Sequence, residues 1–358
     1  ELPTIAVTEN PDIAIRMPSN GAIINDSTLA GRFGMKLGET DLFFKAGDYT
    51  NNKGETGNEG WGVWHNALEI LPVTYWTAQG KTNWFSNNKV NGAINQLCYT
   101  AHGNADDYTA MVDQIVVIMA QTLTSSQITS RPDVLYVTLT SEDGNGVCTC
   151  SACTAAKAQY GSDAGAVIKL CNDVREGMDE WMEANPRYKR EVTLLFFAYN
   201  DYVTAPTAGT IEMREDVGVM YAVSDYVNYY YDIYNTENDA FRTQFEAWSN
   251  LCAINNSTFA LWTYTKNFSA YMLRADVYGE NAFFNENAYR YFAANGVDLW
   301  FNQGATNGTT TLSAFEKLNG YIDSQMMWDS TQSVETLIDN WFNAMYGSAA
   351  TYMKLLYD

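Results

Sequence analysis

The sequence predicts an α/β protein built as a (β/α)8 TIM barrel with extra C-terminal helices. Three observations carry this expectation. Eight short apolar runs rich in Val, Leu, Phe and Tyr punctuate the 358 residues, and most are separated by segments with 3.6-residue periodicity. No internal repeat of roughly 20 to 50 residues is found, which removes solenoids and propellers. Eight alternating units over this length suit a barrel better than an open sheet.

In chain order the expected strands are Asp12–Met17, Trp61–Leu71, Ala93–Thr100, Asp133–Ser141, Val192–Tyr199, Val217–Val223, Phe259–Thr265 and Val297–Phe301. The helical periods cover Asp107–Leu123, Ala164–Ala184, Asn238–Leu251, Glu286–Asn295 and Leu312–Met327, with Pro186 and Gly296 just past two of the ends. Ser333–Tyr357 reads as one or two helices packed outside the barrel. The polar stretch Ala46–Asn58 reads as a long loop, where barrel enzymes keep their specificity. No Gly, Ser or Pro linker divides the chain, so residues 1–358 read as one domain. A start at Glu1 without a leader fits a segment of a longer protein.

A net charge of −21 excludes nucleic acid, whose phosphates need clustered Lys and Arg, and an anionic membrane surface. No run reaches the roughly 18 to 20 apolar residues of a transmembrane helix, and Met111–Leu123 is interrupted by Asp113 and Gln114. Acidity, many Asn and Tyr and few Lys suit an exported bacterial protein, secreted or at the cell surface. With two histidines and no triad signature, zinc helix, P-loop or dinucleotide fingerprint, no catalytic cofactor is expected.

The fourth run ends in two acids. Alternation along Asp133–Asp143 puts Leu135, Val137 and Leu139 on one face and Thr138, Thr140 and Glu142 on the other. The polar face is expected to point into the barrel, with Glu142 near its axis and Asp143 first in the loop. Adjacent acids at a barrel's carboxyl end can divide labour as general acid and charge stabiliser. The competing reading is a loop cap or an Asp-Gly turn.

Aromatic and amide side chains gather at the other strand ends: "FFAYND", "AVSDYVNYYYD", "LWTYTKN" and "WFNQG". Together with His65, the residues Tyr199, Asn200, Asp225, Trp262, Tyr264 and Gln303 are candidates for a site that takes a polyhydroxylated ligand. Each ring taken alone suits a core better than a sugar platform, and their shared position after successive strands shifts that balance; His65 would equally suit a structural role.

Cys148, Cys150 and Cys153 form a C-x-C-x-x-C run too tight to pair neatly within itself, and Cys98 is the best fourth partner. A closed four-sulfur structural zinc site competes with disulfides in an exported protein, and unpaired thiols are a third reading. Cys171 lies on the apolar stripe Val167, Leu170, Val174, Met178 and Trp181 and reads as a buried thiol.

The segments "HNALEILPVTYW", "QLCYT", "SEDGNGVCTCSAC", "FFAYND" with downstream Pro206, "LWTY", "WFNQG" and "MMWD" together resemble the domain of unknown function 4838 family, part of which is classed as glycoside hydrolase family 163. The resemblance covers nearly the whole chain, and D-x-x-x-x-C-x-C-x-x-C is its most specific element. It implies a glycoside hydrolase barrel, similar to endo-β-N-acetylglucosaminidases acting on the complex N-glycans of a glycan or glycoprotein substrate. Such enzymes use the substrate's own acetamide as nucleophile, with one carboxyl group as general acid/base and a polar neighbour orienting the acetamide. Carried onto this sequence, the pair is Glu142 and Asp143. The family pattern makes Asp143 the recurrent acid, whereas strand alternation aims Glu142 at the axis. A carbohydrate-binding protein on a catalytically silent barrel is the alternative.

Overall fold

Six strands and a set of flanking helices are formed by the residues that the computed structural model describes, namely 9–19, 23, 26–36, 43, 65–124, 136–222, 231–264, 286–303 and 315–357. In chain order they are β1 (Ile15–Ser19), α1 (Ser27–Arg32), α2 (Ala67–Ile70), α3 (Val73–Ala78), α4 (Ala105–Thr124), β2 (Tyr136–Thr138), α5 (Ser151–Tyr160), α6 (Ala164–Ala184), β3 (Thr193–Ala198), β4 (Val217–Ala222), α7 (Asp239–Asn255), β5 (Phe259–Tyr264), α8 (Glu286–Ala294), β6 (Leu299–Gln303), α9 (Glu316–Trp328), α10 (Val334–Tyr346) and α11 (Ala350–Tyr357). The strand order is β1-β6-β5-β4-β3-β2. Pairing is parallel for β1 with β6, β2 with β3 and β3 with β4.

The expected closed (β/α)8 TIM barrel is therefore corrected to a parallel α/β sheet, six-stranded among the described residues, in which Phe43 makes a parallel bridge to Tyr136 of β2. Two of the eight runs form no strand among the described residues. In Trp61–Leu71 the described part is α2, where Ala67, Ile70 and Leu71 are buried at helical spacing before Pro72. In Ala93–Thr100 the backbone makes only isolated bridges, Val90 with Ala93 and Phe85 with Leu97. Its polar residues Asn95 and Gln96 spend their side chains on a neighbouring loop, so no face of alternating apolar residues is available to a sheet.

The chain divides into two compact units, one of Leu37–Val223 with Thr243–Leu261 and the other of Glu1–Lys36, Ser224–Arg242 and Trp262–Asp358. In the first, every residue of β2 and β4 is buried, as expected of strands covered on both faces. Helix α6 has the predicted bounds, and its stripe Val167, Leu170, Cys171, Val174 and Met178 is buried. It packs on α4, and a β-carbon at Gly177 would come within 2.7 Å of Val116, so only glycine allows this approach. In the second unit the predicted C-terminal helical stretch resolves into α10 and α11. A buried chain of hydrogen bonds runs there from Trp300 to Thr263, Asn302, Asp323 and Tyr289. No helix among the described residues is long and apolar enough to cross a membrane. The predicted loop Ala46–Asn58 and Asp225 lie outside the described residues.

Candidate functional site

Beyond β2 the chain runs on as Leu139–Glu142 and meets the segment His65–Leu68. Asn66, fully buried, joins the two. Its Nδ2 donates to the Thr138 carbonyl at 2.9 Å and to Thr138 Oγ1 at 2.8 Å, while its Oδ1 accepts from Thr140 N at 2.8 Å and Thr140 Oγ1 at 2.9 Å. Ala67 N donates to Thr140 O at 3.1 Å, His65 Nδ1 to Ser141 O at 2.5 Å, and Leu68 N to Glu142 Oε1 at 2.7 Å. The side chains of Thr138, Thr140 and Glu142 thus all turn to the segment His65–Leu68, although β2 ends at Thr138 and not at the expected Ser141. They meet Asn66 and Leu68 rather than a barrel axis.

The two acids have unlike surroundings. Glu142 is half-buried, and burial pushes its carboxyl up; the Leu68 amide and the charge of His65 oppose this, while Asp143 adds to it. Asp143 is exposed and its Oδ1 accepts from Tyr199 OH at 3.0 Å. His65 lies against Phe197 and Tyr199, with ring centroids 5.4 and 5.8 Å away. A third carboxyl, Glu69, went unnoticed in the sequence. Burial first and Glu142 second push it up, and its Oε2 is buried with no hydrogen-bond partner. The signal for it was its place four residues after His65 in a helical run.

An amide cage holds the loop carrying these acids. Gln96 accepts from Glu142 N at 3.2 Å and donates to Glu142 O at 2.9 Å. Asn95 Nδ2 donates to Asp143 O and Asn145 O at 2.8 and 3.0 Å. Asp201 Oδ2 accepts from Gly146 N and Val147 N at 2.9 and 3.0 Å. Gly146 has φ 129°, a conformation reserved for glycine. From the fifth run, then, Tyr199 reaches the acids and Asp201 the loop behind them. Asn200 turns the chain with φ 49°.

Behind the loop lies the thiol cluster. Cys98, Cys148, Cys150 and Cys153 are buried together as free thiols. Cys98 Sγ is 3.8 Å from Cys150 Sγ and 3.6 Å from Cys153 Sγ. Four sulfurs about 2.3 Å from one tetrahedral ion would be about 3.8 Å apart, so these spacings fit a metal. Cys148 is pushed down by hydrogen bonds from Cys153 and Cys98, and Cys98 is pushed up to about 12 chiefly by that bond. Thr100 Oγ1 lies 3.1 Å from Cys153 Sγ, and His102 N donates to Cys98 Sγ at 3.2 Å. That last bond needs left-handed backbone at Ala101 and His102, φ 44° and 53°, a costly geometry for residues with a β-carbon.

Ligand atoms of Cys98, Cys148, Cys150 and His102 also lie within 4.8 Å of one another. His102 Nε2, however, is 2.9 Å from the Phe85 carbonyl. A carbonyl only accepts, so that nitrogen carries a proton and is not free to ligate. The same nitrogen lies 3.8 Å from Cys148 Sγ, and this cluster of cysteines and His102 is compatible with a structural metal.

Trp262, Tyr264 and Gln303 form a group of their own in the second unit, with Trp262 Nε1 donating to Gln303 Oε1 at 3.0 Å and the Trp262 and Tyr264 rings 6.1 Å apart.

No curated protein matches the sequence. A family model described as domain of unknown function (DUF4838) matches residues 51–358. That span contains the acids, their amide cage and the thiol cluster, and the chain belongs to this family.

Proposed function

We propose that the protein is a glycoside hydrolase acting on N-acetylglucosamine-containing glycans, an endo-β-N-acetylglucosaminidase with a substrate-assisted retaining mechanism. The observation that carries this reading is the pair of adjacent acids in the segment that follows β2, one half-buried with its carboxyl pushed up, the other exposed and held by Tyr199. Protonated Glu142 gives its proton to the glycosidic oxygen as the C1–O bond breaks. The acetamide oxygen closes on C1, and Asp143, held by Tyr199, accepts the acetamide N–H. Glu142, now a carboxylate, takes a proton from the water that opens the ring, restoring the acid. The reading assigns Glu142 as acid/base and Asp143 as the orienting group, with His65 lining the site.

The thiols Cys98, Cys148, Cys150 and Cys153 are assigned as ligands of a structural zinc ion. Zinc there supplies no chemistry to the reaction; it ties the loop after Asp143 to the segment around Cys98.

The Trp262, Tyr264 and Gln303 group supports a second reading, carbohydrate binding without cleavage. Incubation of the chain with a released complex N-glycan separates the two by mass spectrometry. Shortened glycan supports the hydrolase, and retention of intact glycan supports the binding protein.

A further inference from the structure

A hollow of about 760 Å³ in the second unit is used by neither reading. It falls within the usual range of small-ligand sites, about 300 to 1,000 Å³. Trp328, from the "MMWD" motif, lines it beside Phe33, Gly34, Asn10, Arg32 and Gln325. The Trp328 indole is held in place. Its Nε1 donates to Glu9 Oε2 at 3.3 Å, and the Arg16 guanidinium lies 5.0 Å from its ring centroid. Arg16 is only 6% exposed and is fixed in turn by the carbonyls of Ile13, Ala14 and Gly34, at 2.7, 3.1 and 2.5 Å. Gly34, with φ +63°, completes the wall: a β-carbon there would press to 3.2 Å on Arg16 Nη2 and 3.4 Å on the Trp328 ring.

The polar rim divides into engaged and free groups. Asp12 Oδ2 accepts from Ser330 N and Oγ, both at 2.7 Å, and Asp329 Oδ1 accepts from Thr331 N at 3.0 Å and Thr331 Oγ1 at 2.5 Å. These bonds fix the rim. The side chains of Asn10, Arg32 and Gln325 line the hollow and make no hydrogen bond or ion pair among the described residues. An immobile aromatic wall beside free amide and guanidinium donors matches a sugar ring, which offers C–H groups on one face and hydroxyls around its edge. Three carboxylates, Glu9, Asp12 and Asp329, against one exposed guanidinium exclude an anionic sugar.

We propose that this hollow binds a neutral sugar ring packed against Trp328 and hydrogen-bonded by Asn10, Arg32 and Gln325, a carbohydrate-binding site that shares no residue with the Glu142 and Asp143 site. It does not depend on the hydrolase reading.

Calorimetric titration of the full chain, as Glu142→Gln to prevent turnover, with N,N′-diacetylchitobiose, cellobiose and mannobiose tests it. At least one of these neutral disaccharides is expected to bind, with affinity falling about tenfold or more in Trp328→Ala and severalfold in Gln325→Ala. Should Trp328→Ala not fold, the surface double variant Asn10→Ala with Gln325→Ala decides alone. The proposal is overturned if none of the three sugars binds. Binding unchanged by the hollow variants but lost in Asp143→Asn also overturns it, because the sugar then sits at the acids. Trp328-dependent binding in a chain that cleaves no glycan would sink the hydrolase reading and leave this one standing.

Discussion

Leu68 N stands 2.7 Å from Glu142 Oε1, so a backbone donor from the first turn of α2 holds the acid at the end of the β2 segment. Such first-turn amides have no partner within their own helix, and a carboxylate is a natural acceptor. The bond favours the ionised form, yet burial outweighs it and the net direction for Glu142 is upward.

The balance can be moved. Asp143 is one of the groups raising Glu142 and His65 one of those lowering it. Asp143→Asn is predicted to shift the Glu142 titration to lower pH and His65→Gln to higher pH, read by carbon NMR of labelled glutamate. A general acid must be protonated, so activity falls as pH rises through its pKa. Asp143→Asn therefore draws that alkaline limb to lower pH. An upward shift in Asp143→Asn would contradict the assignment.

The thiol cluster predicts close to one equivalent of zinc per chain in protein purified without chelator. Cys98→Ser and Cys153→Ser lose it, whereas His102→Gln keeps it, because the His102 ring nitrogen is bonded to the Phe85 carbonyl. Binding displaces thiol protons, so zinc affinity should rise with pH. Elemental analysis checks each point, and zinc lost in His102→Gln but kept in Cys153→Ser would reverse the ligand set.

Asn66 uses its side-chain amide to bind Thr138 and Thr140 four times in a fully buried position. Asn66→Ala removes all four of these bonds from a buried position, at a cost of about 3 kcal/mol. Urea unfolding measures it, and a loss under about 0.5 kcal/mol would show that the joint is not structural.

Asp323 is pushed up to about 6 by complete burial, against the hydrogen bonds from Tyr289 and Asn302. Its folded pKa exceeds the unfolded value of about 3.9, so its contribution to stability is complete below that value and is lost as pH rises through about 6. The melting temperature of wild type relative to Asp323→Asn should fall between about pH 4 and about pH 6, over a free-energy range of up to about 3 kcal/mol. A constant difference would remove Asp323 from the account.

Where local periodicity decides structure, the sequence was readable. The stripe of α6 appears with its predicted bounds, and six apolar runs became strands. The failures share a cause. "HNALEIL" is apolar enough for a strand, but its burial follows helical spacing, and Asn95 and Gln96 serve partners nearly fifty residues away rather than a sheet face. The same long range hid the cage around the acids. Glu142 and Asp143 were visible because they follow an apolar run; the partners that separate their roles, Leu68 and Tyr199, meet them only on folding.

The most direct test of the central claim is turnover of a released complex N-glycan by wild type, Glu142→Gln and Asp143→Asn. Wild type should release product, and each variant should lose about a hundredfold or more in kcat with its fold intact. Wild-type rates in both variants would contradict the assignment of this pair.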